Sequence, residues 1–347
     1  MADQIVRSLK PGTKHINLNG RKLKAVPKPI CLVTNLVVLE LKNNFIHDLP
    51  NALSRLENLE ILNVGGNELE ILPEVIKSMT KLTKLHLFKN KIQELNTNVL
   101  CQLTSLVFLN LNDNQIKEIP PEIERLEKLE VISLNHNCLV TLCSEICFLP
   151  NLREIHATHN SLSTLPLELG FLENLEKLHL SRNKIKELPE GLGKLRKLRL
   201  LDVAANELRI FPTELSNVPL KELYCEANPL LECIAVHSVQ EEEILSLKEL
   251  VARFIMKNIK DKSSILRHEI RDFPAAREML SQASKCAVCS DAFLNTWLEC
   301  VKFISTSSEK EIKIRKCSQH VIPVRALLCS YKCFNTPRHG YYGVAFP

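Results

Sequence analysis

The sequence predicts an α/β solenoid of about ten 23-residue coils, whose short strands line up as one parallel sheet on a concave face. A capping helix and a small cysteine-rich module follow it. Three observations support this expectation. Asparagines recur at Asn44, Asn67, Asn90, Asn114, Asn137, Asn160, Asn183, Asn206 and Asn228, at intervals of 23, 23, 24, 23, 23, 23, 23 and 22. Each sits in the frame Leu-x-x-Leu-x-Leu-x-x-Asn-x-Leu, as in Leu106, Leu109, Leu111, Asn114 and Ile116. After the last of them the pattern stops and cysteines pair up instead, as Cys286-Ala-Val-Cys289 and Cys329-Ser-Tyr-Lys-Cys333.

Each part of the coil has a physical reason. Alternate residues of a strand point to one side. Leucines placed that way build a core that no coil completes alone, so coils must stack. An asparagine side chain carries a donor and an acceptor, and so can satisfy backbone groups at the turn leaving the strand. The second half of each unit runs Pro-x-x-Leu-x-x-Leu, as in Pro189, Leu192 and Leu195. That three-residue spacing suits a 3₁₀ segment on the convex side. A degenerate unit precedes the rest, with Ile16, Leu18, Leu23, Val26 and Pro27 in register and Arg21 in the asparagine slot.

These frames resemble the leucine-rich-repeat family over residues 13–230. The tail motifs Cys286-x-x-Cys289, Trp297-Leu298-Glu299-Cys300 and Leu328-Cys329-x-x-x-Cys333 are similar to those of one branch of its intracellular members. The resemblance implies a horseshoe solenoid that binds another protein and is not an enzyme. The expected organisation is a lead-in over 1–12, the solenoid over 13–232, a helical cap over 233–282 and a zinc-ribbon-like module over 283–347.

Composition narrows the function further. Charged residues make up 24% and hydrophobic residues 45%, which is globular material. Up to Cys233 there are 28 basic and 28 acidic residues, and after it 17 and 12, so the net charge of +5 lies in the tail. Such an excess is far below a nucleic-acid-binding stripe, and none is expected. No apolar run approaches the roughly 20 residues of a membrane span. Nothing near Met1 resembles a secretory signal. Thirteen cysteines form no disulfide framework, which fits a reduced cytoplasmic or nuclear protein.

On the concave face, strand residues between the inward leucines stack in columns about 4.8 Å apart. One column contains His86, Asn110, Ser133, His156, His179, Asp202 and Tyr224. A neighbouring column contains Asn43, Gly66, Lys89, Asp113, His136, His159, Arg182 and Ala205. With Phe88 and Phe108 as anchors, this polar surface of mixed sign is the expected seat of a protein ligand. His136, His156, His159 and His179 raise the idea of a metal or a pH sensor. No carboxylate or cysteine completes a first shell near them, and solvated surface histidines are the expectation. No nucleophile elbow, Walker loop or paired-carboxylate site is present.

In the tail, Cys286, Cys289, Cys329 and Cys333 form two close pairs that suit a tetrahedral zinc site. Cys317 and His320 are reserve ligands. Alternation around Trp297, Glu299, Val301 and Phe303, a polar loop over 305–311 and an apolar stretch over 321–328 complete the zinc-ribbon layout. So small a module needs a staple.

Ahead of it, about 238–259 is expected to be helical. Ile244, Leu247, Val251, Phe254 and Ile255 share one face, with Glu241 to Glu243 near the start. Its simplest role is to cover the last coil. The segment also resembles the BC box, which docks elongin B/C in cullin ubiquitin ligases. Ser246, Leu247 and Ile255 match that box, whereas Val251 stands where a small residue is usual. Phe273-Pro274 resembles a cullin-selecting box, with Arg277 where an apolar residue is expected. Two functions therefore stay open. One is a substrate receptor joined to elongin B/C and a cullin through Leu247, Val251 and Ile255. The other is a signalling scaffold for a phosphatase or small GTPase, with the tail only a cap.

Overall fold

A leucine frame closed by an asparagine makes the same turn nine times in succession. The computed structural model describes residues 12–231, 246–259, 264–270, 273–294, 298–305, 321–334, 336 and 342–343. It divides into two units. One is the repeat array over 12–208 and 214–229, and the other comprises Arg209–Thr213 with the described residues from 230 onward.

In the array, ten three-residue strands form one parallel sheet in chain order. They are β1 (His15–Asn17), β2 (Val38–Glu40), β3 (Ile61–Asn63), β4 (Lys84–His86), β5 (Phe108–Asn110), β6 (Val131–Ser133), β7 (Glu154–His156), β8 (Lys177–His179), β9 (Leu200–Asp202) and β10 (Glu222–Tyr224). The middle residue of each strand is buried and pairs with the middle residue of the next, as Leu85 does with Leu109 and Ile155 with Leu178. The degenerate first unit joins the sheet, because Ile16 and Leu18 are buried like their successors.

The asparagines stitch coil to coil. Asn114 Nδ2 donates to Leu87 O and Leu111 O, each at 3.0 Å, and its Oδ1 accepts Ile92 N–H at 3.1 Å. The bonds recur at every such position down to Asn228, which donates to Val203 O at 2.8 Å and accepts Leu208 N–H at 3.0 Å. The turn that brings each asparagine inward bends through the left-handed region. Asn43, Lys89, Asp113, His136, His159, Arg182 and Ala205 all have φ between 51 and 57°. That conformation disfavours residues with a Cβ, at about 1–2 kcal/mol each, and here the bonds around it hold it in place. The column read as strand residues beside the first is therefore a column of turn residues.

Opposite the sheet, prolines such as Pro50, Pro73 and Pro189 precede 3₁₀ segments (Asn51–Arg55, Glu74–Ser78 and Glu190–Lys194) with φ of −61 to −66°. Proline presets this φ. The 24-residue coil differs. Asn96 replaces the proline and caps a short α-helix, α1 (Thr97–Leu100), by accepting Asn98 N–H at 3.0 Å.

The second unit contains α2 (Leu247–Ile259), α3 (Ile265–Glu269), α4 (Pro274–Ser281), the antiparallel hairpin β11 (Ser284–Lys285) and β12 (Ala292–Phe293), and a sheet ordered β14-β13-β15. Its strands are β13 (Leu298–Ser305), β14 (Val321–Leu328) and β15 (Tyr342–Gly343), with α5 (Tyr331–Phe334) after β14. β13 and β14 pair from Leu298↔Leu328 to Ser305↔Val321. Phe211 extends the edge of β14, bonding Pro323 O and Arg325 N–H at 3.0 and 2.8 Å. Trp297, Ile244 and Glu241 to Glu243, which figured in the expectation, lie outside the described residues.

One expectation is corrected here. The apolar stripe of α2 does not face a core, since Leu247 is 76%, Phe254 62% and Val251 47% exposed. The buried side carries Glu249 and Ala252. A carboxylate can occupy a buried face when donors meet it, and Leu294 N–H and Arg253 do so here.

Candidate partner face and candidate metal centre

On the sheet face of the array, three half-buried rings cluster. His86 stands edge-on to Phe88 at 6.4 Å and lies 5.0 Å from Phe108. The Phe88 ring lies against Gly65, where a Cβ would collide with it. Lys42 Nζ sits 5.3 Å from the centre of that ring, within cation–π range. Beside the cluster, Asn110 Oδ1 accepts Asn112 N–H at 3.0 Å.

The four histidines form two stacked pairs. His136 and His159 stack at 4.3 Å, and His156 and His179 at 4.6 Å. Two carboxylates lie beside them, yet among the described residues the histidines belong to no group of three or more ligand side chains. His156 Nε2 is 3.0 Å from Glu154, whose other oxygen meets Lys177 at 2.8 Å. His179 is 3.8 Å from Asp202, which also accepts Ser181 Oγ at 2.8 Å. Glu154 and Lys177 stand one residue before the middle of their strands. Period-two alternation puts that position on the same face as the histidines, so the signal was legible. Arg182 continues the His136–His159 column, and Tyr224 OH donates to Glu222 at 2.7 Å.

Burial holds the His86 and His156 pKa values below the usual imidazole range, although Glu154 opposes this at His156. His159 shifts down as well, through desolvation and the neighbouring His136 and Arg182. Burial would raise the Asp202 carboxyl, but bonds from His179 and Ser181 outweigh it and bring the group down. Glu154 is lowered in the same way by Lys177 and His156. The face is thus a set of satisfied polar pairs around an aromatic cluster.

In the second unit, Cys286, Cys289, Cys329 and Cys333 come together, their Sγ atoms all within 4.8 Å of one another. They are the one group of three or more such ligand side chains among the described residues, and they could hold a metal ion. The β11–β12 hairpin carries the first pair, closed by Cys286 N–H on Asp291 O at 2.9 Å. The end of β14 and α5 carry the second pair. Ala287 N–H donates to Leu327 O at 2.9 Å and sets the two knuckles side by side. Burial would raise the Cys286 thiol, but backbone N–H groups of Cys289, Cys329 and Val288 aimed at its sulfur bring it to about 7. Burial pushes Cys329 up to about 11, and desolvation among the other sulfurs also raises Cys289. Cys317 and His320, the reserve ligands, lie outside the described residues. Among the described residues no helix is long and apolar enough to cross a membrane.

The profile of the Leucine rich repeat family matches residues 109–162 and 150–208. A Leptospira interrogans leucine-rich-repeat protein of known structure shares 36% identity at a TM-score of 0.61, over 63% of this chain and 56% of its own. A TDR receptor shares 25% at 0.60, over 65% of this chain and 41% of its own. Leucine-rich repeat-containing protein 69 of Homo sapiens is 39% identical over 126 residues, 36% of this chain and 35% of that protein. Its counterpart of the same name from Xenopus laevis is 56% identical over 346 residues, 99% of each chain. Because that match runs through the tail as well as the coils, the chain belongs to the leucine-rich-repeat proteins, in the group that carries the name leucine-rich repeat-containing protein 69.

Proposed function

We propose that the chain is a non-enzymatic cytoplasmic scaffold that holds a protein ligand on the concave, sheet side of its repeats. The observation that carries this reading is the half-buried Phe88–His86–Phe108 cluster, flanked by histidine and carboxylate pairs that already satisfy one another. Aromatic anchors within a polar surround are the usual anatomy of a protein interface. The candidate contact residues are His86, Phe88, Phe108, Asn110, His136, His156, His159, His179, Arg182 and Tyr224. The test is affinity purification of the tagged chain from cells. Phe88→Ala with Phe108→Ala is expected to lose the principal partner, with the thermal melt of the repeats retained. Unchanged recovery of that partner by the double variant refutes this placement of the interface. A phosphatase catalytic subunit or small GTPase as the partner makes the chain a signalling scaffold.

The solvent exposure of Leu247 and Val251 favours a second reading, a substrate receptor docked through α2 onto elongin B/C and a cullin. These two residues with Ile255 are spaced i, i+4, i+8 and form one stripe fit for a hydrophobic groove. Leu247→Ala with Ile255→Ala is then expected to abolish elongin recovery and leave the solenoid's partner bound. A wild-type chain that recovers no elongin ends this reading.

The tail is assigned one structural zinc. Zinc–sulfur bonds of about 2.3 Å in a tetrahedron give sulfur–sulfur edges of about 3.8 Å. Cys329 Sγ lies 3.5 Å from Cys289 Sγ and 3.6 Å from Cys333 Sγ, close to that edge. Four thiolates and no hard oxygen donor suit zinc over calcium or magnesium.

A further inference from the structure

Neither the partner face nor the zinc reading makes use of Glu249, a fully buried carboxylate on the inner side of α2. Both of its oxygens accept Leu294 N–H, at 3.2 and 3.1 Å. Its Oε1 also accepts Arg253 Nε–H at 2.6 Å. Arg253 then reaches on, donating from Nη2 to the carbonyl of Cys329 at 2.6 Å, with its guanidinium 6.0 Å from the Phe293 ring centre. One turn of α2 is thereby tied to both knuckles. Leu294 directly follows β12 of the first knuckle's hairpin, and Cys329 is itself a candidate ligand in the second.

The geometry points to Arg253 as a positioning residue for the metal centre, aligned by Glu249, and to metal loading as what keeps α2 docked. This rests on the zinc reading. A divalent ion with four thiolates carries two net negative charges. A guanidinium hydrogen-bonded to a ligand residue's carbonyl offsets that charge and fixes the knuckle's orientation, which is how partners outside the ligand set tune metal affinity. The dependence also runs the other way. Leu294 N–H and Cys329 O keep their spacing because the four sulfurs are held together. When the metal leaves, that spacing relaxes, and the buried Glu249–Arg253 pair loses the backbone groups that make its burial tolerable. The helix then detaches. Its outer face, with Leu247, Leu250, Val251 and Phe254 exposed, is therefore presented on a fixed helix only by the metal-loaded tail.

The test uses the full chain. Zinc affinity is measured by competition with a chromophoric chelator, and hydrogen exchange is followed in peptides from 247–259 with zinc bound and after chelation. The wild-type helix is expected to be protected with zinc and to exchange freely without it, while peptides from the coils do not change. Arg253→Met is expected to weaken zinc binding by about 10- to 100-fold, the usual cost of losing such a partner. Arg253→Lys keeps the charge but cannot span Glu249 and Cys329 O together, so it should restore only part of the affinity. Glu249→Gln should lower affinity and helix protection together, and the ligand-field bands of the cobalt-substituted chain should shift in each variant. Uptake of zinc with helix protection indifferent to it, or equal affinity in Arg253→Met and wild type, overturns this inference alone. A wild-type chain that takes up no zinc overturns the zinc reading and this inference with it.

Discussion

Removal of zinc by a chelator, or the change Cys289→Ser, is expected to unfold the tail and leave the repeats folded. The expected magnitude is large because ligands brought together only by folding turn the metal's binding energy into folding energy, about 10–16 kcal/mol for structural zinc near neutral pH. The core around the site is small. Cys286, Phe293, Cys300, Ala326, Leu327, Leu328, Cys329 and Cys333 make up its buried cluster, so three of its eight members are themselves candidate ligands. Cores that small usually need a staple. Elemental analysis should return about one zinc per chain. Circular dichroism should keep the melt of the coils, because repeats depend on their neighbours. Metal-free protein with a folded tail would defeat the expectation. The pH dependence has a definite sign. Zinc needs thiolates, and with Cys329 pushed up to about 11 and Cys289 raised, binding must displace protons. Zinc affinity should therefore fall as pH falls.

Leu134→Ala should destabilise the array by ~2–5 kcal/mol through the cavity it leaves. Leu134 is fully buried. Its N–H donates to His156 O at 2.6 Å, and its carbonyl receives both Asn137 Nδ2 and Asn160 Nδ2, at 3.0 and 2.9 Å. The backbone there is bonded from two directions and cannot collapse into the void. Because each coil is stabilised by its neighbours, the loss should lower the urea midpoint of the whole array. A ΔΔG below about 1 kcal/mol would mean that the site repacks, as volume-tolerant cores do.

The strands of the array were legible because leucine spacing states which residue of three points inward. The asparagine's role followed from its donor and acceptor, and Asn114 fills it as expected. The left-handed turn column was not legible. A positive φ leaves a trace in sequence mainly as glycine, and of the column's eight residues only Gly66 displays it. The His156–Glu154 pair is hidden because Glu154 stands just ahead of the histidine column, whereas Asp202 stands in that column next to His179. The orientation of α2 was missed for another reason. Counting apolar residues assumes that the greasy face goes inward, whereas Glu249 is met by Leu294 N–H and Arg253 and becomes the docking side. The cysteine centre was legible from spacing alone, because two close pairs at the ends of strands leave few other arrangements.

The coil between Asn90 and Asn114 is one residue longer than most, yet its strand pairing stays in register, Lys84↔Phe108 before it and Phe108↔Val131 after it. The surplus residue is absorbed on the far side from the sheet, in the turn capped by Asn96. Length is thus tolerated there and nowhere along the asparagine ladder, where each side chain bonds two coils at once. Such an array can grow by duplicating whole coils, or acquire loops and tags at its outer turns, without moving any residue of its sheet face.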